Sequence, residues 1–549
     1  MTNSYKVSTR LNLWVDEWQN KRRIKSITNQ VATHAQPNLD QAPVIIFNTS
    51  SRLTGLSLNA SFTSLTAWSL RLNNVPVIHF VCQAGLNPCM LGTNRQDYKS
   101  PPPCKTCLKQ SNRLYADANT QWFTYQEDDD LAEHIKSLEV DDLCNFDYPL
   151  TIDSKQRQKT LIPLGAIVLP SVRWALRRHH LLNDLQTRHL LRSYILSAYS
   201  LAKQFDQLLE IVNPSTIVIF NGSIYPEAIV RWVAIRRGIR AITHEVGFQQ
   251  LSAFFTDGEA TAYPINIPAD FELTAEQNDR LDDYLEKRFQ GQFTMAGIKF
   301  WPEIKSLDEA FLNKASNFRQ IVPIFTNVAY DTSQVHASTV YPSMFAWLDT
   351  LLAIIRDHPE TLFVIRAHPD EMREGTAKLA NESVQDWVIE NGVYNLPNVV
   401  FISPIEYISS YELIHRAKFV IVYNSSIGLE ATLLGKVVIC GGRARYTQYQ
   451  TVYFPDSQNG FCELVRSFLV EDEVVLPSIF QKNARNFLFY QLYRTSIPLD
   501  EYIESIPRQG YVKFKRFRWD KLSPKYSTAF SIINDGIVKN TPFLIPENM

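Results

Sequence analysis

With 549 residues, the chain is longer than a single hydrophobic core usually supports, which predicts two domains. Its 45% hydrophobic and 20% charged residues are those of a globular protein and exclude a collagen-like or disordered chain. The 55 Lys and Arg nearly cancel the 56 Asp and Glu, so no overall field draws the molecule to nucleic acid or anionic lipid, and nucleic-acid binding is excluded as its main task.

The amino end, MTNSYKVSTRLNLWVDEWQNKRRIK, has no apolar core of the kind a signal peptide needs. No stretch approaches the roughly 18–20 uninterrupted apolar residues of a membrane helix. The expectation is a cytoplasmic protein, working if need be at the inner face of a membrane but not through it. In that compartment seven cysteines are not a disulfide framework.

The first regular pattern is APVIIF, a buried strand, followed by the polar loop NTSSRLTG, the helix LNASFTSLTAWSLRLNN and a second strand, VPVIHFVC. Strand, crossover helix and strand within about 40 residues is the βαβ unit of a parallel sheet. STIVIF, NGSIYP, EAIVRWVAIRRG and IRAITHE repeat it, with Gly238 where a helix C-cap belongs. Residues 1–265 are thus read as an amino-terminal Rossmann-like domain carrying a Cys-rich insertion at 82–107. The polar segment 266–320, including LTAEQNDRLDDYLEKRFQGQ, reads as a helical bridge. Residues 321–455 alternate strand and helix regularly: IVPIFTNV, SMFAWLDTLLAIIRDHP, TLFVIRAHP, NVVFISP, ISSYELIHRA, FVIVY, SSIGLEATLLG and KVVICGG. That is a second doubly wound domain. Residues 456–549 read as a helical, basic tail containing YVKFKRFRW. Two such domains would face each other across a cleft at the carboxyl ends of their strands, where ligands bind in such folds.

The loops after the strands are therefore where chemistry is sought. In VIVYNSSIGLEATLLG a strand runs into Asn424-Ser425-Ser426 and a helix. Free N–H groups and two hydroxyls there would suit a nucleotide phosphate, and Glu430, one turn on, could reach a ribose or sugar hydroxyl. Alternatively Ser425 only caps the helix and Glu430 is solvated. In FVIRAHPDE, Pro369 stops the strand and leaves His368 at its rim, able to donate to a phosphate, with Arg366 two residues earlier on the same face. In ITHEVGFQQ, His244 and Glu245 point to opposite faces of a strand, and either could deprotonate an acceptor hydroxyl. Ser51, Asn221, Asn327 and Asp331 are further strand-end candidates, each equally explained by turn chemistry. GxGxxG is absent from the first loop, so no dinucleotide fingerprint is present.

Cys82, Cys89, Cys104 and Cys107 fall in one Pro-rich stretch. Cys104-x-x-Cys107 has the bite of a metal knuckle and four thiolates would complete a structural zinc site, although the first pair is separated by six residues. Unligated thiols and a labile disulfide are the alternatives.

Taken in order, FTNVAYD, SMFAWLDTLLAIIRDHP, VIRAHPDE and VIVYNSSIGLEATLLGKVVICGG resemble the bacterial capsule-polysaccharide biosynthesis family of glycosyltransferases, and FNGSIYPEAIVRWVAIRRGI with THEVG looks like its first-domain counterpart. The resemblance spans roughly 44–450 and is most specific in the second domain. The HP and Ser-Ser elements are also similar to those of bacterial sialyltransferases and Kdo transferases. It implies a GT-B fold of two Rossmann-like domains and metal-independent transfer from a nucleotide sugar, CMP-linked by the second likeness, to a glycan or lipid-linked acceptor. By the same likeness His368, Ser425 and Ser426 would hold the donor. The acidic base motif of the sialyltransferases has no match, which leaves Glu245 and His244 as the candidates. Three rival readings remain: a polyol-phosphate transferase of cell-wall polymer synthesis, a nucleotide-sugar epimerase, and a non-catalytic polysaccharide-binding scaffold.

Overall fold

The computed structural model describes residues 2–50, 55–95, 97–152, 158–291, 305–372 and 379–547. The chain divides into two compact units, one made of 1–175, 181–263 and 492–549, the other of 176–180 and 264–491.

In the first unit the sheet is built from β1 (Val44–Asn48), β2 (Val77–Cys82), β3 (Thr120–Phe123), β4 (Thr216–Phe220), β5 (Arg240–Val246) and β6 (Ser252–Thr256). The order is β3-β2-β1-β4-β5-β6, closed at one edge by the short strand Ile497–Pro498. β1 through β5 are parallel, and β6 turns back antiparallel on β5. All five residues of β1 are buried, as a strand covered on both faces requires. Helix α1 (Leu58–Leu72) follows β1, its first turn capped by the Ser57 hydroxyl on the Ala60 amide. Helix α2 (Tyr225–Arg236) follows β4 with Pro226 in its first turn, and Gly238 beyond its end takes the left-handed φ of +68° expected of a C-cap.

The second unit contains α3 (Ala275–Phe289), β7 (Gln320–Phe325), α4 (Met344–Asp357), β8 (Thr361–Arg366), β9 (Val399–Ile402), α5 (Ser410–Arg416), β10 (Val420–Val422), α6 (Ile427–Leu433) and β11 (Val438–Cys440). Its sheet is entirely parallel in the order β9-β8-β7-β10-β11. β8 shows why the sequence reads as an unbroken apolar run. Phe363 and Ile365 join the core on one face of the sheet, and Leu362 and Val364 the core on the other.

The doubly wound fold and its elements agree with the sequence reading, but two segments fall elsewhere. Residues 266–320, read as a bridge, lie within the second unit, where α3 buries Leu281 and Leu285. The tail from 456 is divided. Helices at Gln458–Val470 and Ser478–Phe489 stay with the second unit, and the chain from 492 returns to the first. There Tyr511–Phe514, expected in a helical tail, is a strand paired antiparallel with Leu56–Ser57. The reason is a period of two: Val512 and Phe514 are buried between half-exposed Tyr511 and Lys513. No helix among the described residues is long and apolar enough to cross a membrane.

Candidate functional site

Both sheets reverse their winding beside the first strand, between β1 and β4 in one unit and between β7 and β10 in the other. Such switch points part the outgoing loops and open a crevice at the carboxyl ends of the strands.

In the second unit β7 and β10 end in register, Phe325 beside Val422. The loops leaving them are stitched together: Asn327 Nδ2 donates to Asn424 Oδ1 at 2.8 Å, and Gln334 donates to the same oxygen at 3.2 Å. Tyr446 Oη donates to the Ser425 carbonyl at 2.7 Å, and Gly428 lies so close beneath it that a Cβ would come within 2.3 Å of that hydroxyl. Side chains at 425 and 426 are left out of this lattice. Ser426 stands at the N-cap of α6 with helical φ and ψ and makes no capping bond, and neither serine hydroxyl has a hydrogen-bond partner among the described residues. The capping alternative therefore does not describe this turn. Two uncommitted hydroxyls stand at the switch point, backed by a fixed backbone.

His368 follows β8, the neighbour of β7, and is half-buried. The Asp370 amide donates to its Nδ1 at 3.1 Å, which assigns the proton of the neutral ring to Nε2 and makes that nitrogen a donor. Arg366, two residues earlier, is not open to solvent. The side chain is buried, 3.5 Å from the Glu406 carbonyl, and burial lowers its pKa to about 10 against the opposing pull of Glu406. Glu430 is neither solvated nor unengaged. Arg288 of α3 holds one carboxylate oxygen at 2.6 Å and Tyr411 of α5 donates to the other at 2.6 Å. Burial pulls the Arg288 guanidinium down, but the Glu430 carboxylate outweighs it and leaves the pKa above its usual value. Glu430 thus ties three helices together. Asp331 caps a short 3-10 turn through the Thr332 amide at 2.8 Å.

In the first unit Asn221 and Gly222 leave β4 through left-handed φ of +64° and +83°. This turn swings Asn221 Nδ2 onto Glu245 Oε2 at 2.9 Å, while Asn59 of α1 and the Val246 amide hold Oε1 at 3.1 and 2.9 Å. Glu245 is therefore a fixed group at the strand ends. His244 faces the other way, as alternation demands, and is fully buried among the rings of Phe62, Phe220 and Phe255, with Nε2 2.9 Å from the Thr63 hydroxyl. Burial drives its pKa down to about 3, so this histidine is a neutral core residue and not a catalytic base.

Sequence reasoning missed Glu227. It lies in the first turn of α2, 5% exposed, and accepts a 2.7 Å hydrogen bond from Thr49, the residue after β1. Burial raises its pKa to about 7, partly offset by Thr49 and by a backbone amide. Together with Asn48, Thr49, Ser50 and Asn59 it lines a pocket at the β1–β4 switch point. The sequence signal was a carboxylate just inside a helix start, which reads as ordinary helix chemistry until the strand order is known.

Ser51 lies outside the described residues. The four cysteines of 82–107 are free. Cys82 and Cys89 each accept a backbone N–H three residues on, from Gly85 at 3.3 Å and Gly92 at 3.1 Å, and burial pushes both thiols up to about 12. Cys107 is 3.6 Å from the Ser50 hydroxyl. Among the described residues no group of three or more His, Cys, Asp or Glu is gathered closely enough to hold a metal ion. The thiols are nonetheless neighbours, with the charges of Cys89, Cys104 and Cys107 acting on Cys82 and those of Cys104 and Cys107 on Cys89.

Two doubly wound parallel sheets, each with polar loops at its switch point, place the chain in the class of two-unit Rossmann-like α/β proteins. Residues 295–449, within the second unit, match the family model described as capsule polysaccharide biosynthesis protein, and over this stretch the chain is similar to that family. The match falls where the sequence resemblance is most specific. No curated protein sequence matches. Among solved structures, the KpsC β-Kdo 2,4 transferase of Thermosulfurimonas dismutans is similar at 14% identity and a TM-score of 0.34, over 55% of this chain and 84% of that one. The β-Kdo 2,7 transferase of the same KpsC gives 13% and 0.33, over 57% and 85%. The UDP-GlcNAc 2-epimerase of Methanocaldococcus jannaschii, in complex with UDP-GlcNAc and UDP, gives 10% and 0.26, over 81% and 98%.

Proposed function

We propose that this protein is a glycosyltransferase that moves a sugar from a nucleotide-sugar donor to a glycan acceptor of a surface polysaccharide. The observation that carries the reading is the capsule polysaccharide biosynthesis match over the unit whose switch point offers two uncommitted serine hydroxyls. In this reading Ser425 and Ser426 donate to the donor phosphate, and the Nε2–H of His368 donates to the phosphate as negative charge collects on it in the transition state. Such donors accelerate transfer only as far as they bind the departing phosphate more tightly than the ground-state ester. Asn327 and Asn424 hold the loop in place and Glu430 braces the helix behind it. In the first unit Glu245, with both oxygens already occupied, orients an acceptor. Transfer is proposed to need no metal and the donor to be CMP-linked.

A thermal-shift panel with CMP, CDP, UDP, GDP and ADP tests this. A ligand that binds only the folded state stabilises it by about 2.7 kcal/mol at a hundredfold excess over its dissociation constant. Stabilisation by one nucleotide, lost in His368→Ala and in the Ser425→Ala/Ser426→Ala double variant, is the expected result. Equal stabilisation of both variants would remove the donor assignment.

A further inference from the structure

The pocket of the first unit contains two buried polar atoms with no partner among the described residues: Asn48 Nδ2, a donor, and Asn59 Oδ1, an acceptor. Asn48 is more than nine-tenths buried, and an orphaned donor there is costly unless a ligand or water meets it. A single oxygen that both accepts and donates answers both atoms, as a water does and as the alcohol O–H of a ligand does. The hydroxyl-bearing residues Thr49, Ser50, Ser57 and Thr63 share the lining with apolar ones that include Phe47, Leu86, Met90 and Phe220. That mixture suits the polar edge and C–H face of a pyranose. The pocket opens at the switch point, where ligands bind in doubly wound sheets.

Resting on the glycosyltransferase reading above, we propose that this pocket binds a sugar hydroxyl group of the acceptor and that the Glu227 carboxylate takes its proton. The acceptor O–H bond breaks toward a Glu227 oxygen as the acceptor oxygen bonds to the anomeric carbon of the donor. The bond from that carbon to the nucleotide phosphate breaks, and its electron pair leaves on the phosphate. Glu227 afterwards releases the proton to solvent, so charge and atoms balance. Few other groups compete for this proton. Among the described residues of the loop after β1, the Thr49 hydroxyl reaches the carboxylate. Arg231, one turn along α2, is committed to Glu259 at 2.7 Å, and the Cys89 thiol in the pocket wall is held protonated by burial. Glu227 therefore titrates close to neutrality, where a general base is most effective.

Saturation-transfer NMR with glucose, galactose, N-acetylglucosamine and glucuronic acid, paired with infrared titration of the carboxyl band, tests the proposal on the full chain. At least one sugar is expected to give signals with the wild type and with the isosteric Glu227→Gln, and at least tenfold less with Asn48→Leu. The carboxyl band is expected to titrate near neutrality, to move when that sugar is present, and to be missing in Glu227→Gln. No sugar signal with the wild type, signals unchanged in Asn48→Leu, or a titration that ignores the sugar would each overturn it. Nucleotide stabilisation by the second unit is measured on the same variants. Its presence with a silent pocket defeats this inference alone, and its absence defeats the donor reading instead.

Discussion

Glu227→Gln is expected to make the protein more stable, and by an amount that depends on pH. The substitution keeps the shape and leaves an acceptor for Thr49, so its main effect is to remove a titration. Burial raises the Glu227 pKa from 4.5 to about 7 in the folded protein. Between those values the folded state holds a proton that the unfolded chain has already released. Stability therefore falls as pH rises through this window, and is fully present only below it. A shift of about 2.5 units at about 1.36 kcal/mol per unit gives about 3 kcal/mol lost by pH 8 in the wild type and retained in the variant. The group is 5% exposed, so solvent screening does little to reduce the figure. For a unit of roughly 300 residues, with an unfolding entropy of about 2.1 cal/mol/K per residue, this corresponds to a melting temperature about 4–5 °C higher. Differential scanning calorimetry of both proteins from pH 4.5 to 8.5 is the assay. The two melting curves should converge at the acid end, diverge through pH 5–7 and run parallel above it. Parallel curves over the whole range would show that Glu227 titrates alike in the folded and unfolded states, and the argument from burial would fail.

Other substitutions separate ligand-facing groups from bracing ones. The Ser425→Ala/Ser426→Ala variant should unfold within about 0.5 kcal/mol of wild type in urea, because neither hydroxyl has a partner among the described residues, while its nucleotide stabilisation is lost. Glu430→Ala should cost about 3–5 kcal/mol by the same measurement, since it strands the buried Arg288 guanidinium; a loss below 1 kcal/mol would mean that the pair is solvated. Imidazole NMR should find the His244 ring neutral down to about pH 4, and protonation near pH 6 would contradict its burial among three aromatic rings. Elemental analysis of the purified protein should find no stoichiometric zinc. One zinc per chain would show that the four thiols close on a metal.

The sheet strands were readable because both faces of each sheet are covered. A doubly buried strand is apolar along its centre, and VIIF, LFVI and VVIC announce themselves by that alone. Tyr511–Phe514 does carry the alternation of a strand, Val512 and Phe514 against Lys513 and Lys515, but the run is only four residues long, and of its two partners one, Leu56–Ser57, lies more than 450 residues away in the chain. Ser425, Ser426 and His368 could be picked out as strand-end residues without the structure. What the sequence could not supply is which strands are neighbours.

That ordering decides the chemistry of the first unit. Thr49 and Glu227 are separated by 178 positions, and nothing local links them. They meet only because β4 inserts beside β1 and the chain reverses its winding there. His244, by contrast, sits next to Glu245 in a promising motif, yet the alternation of β5 turns it into the core. Adjacency in sequence offered Glu245 and His244 together, whereas adjacency in the sheet brings Glu227 to Thr49. A carboxylate at a helix start is commonplace. The same carboxylate at a switch point, desolvated and sharing a pocket with two amide atoms that have no partner among the described residues, is where the proposed proton transfer is placed.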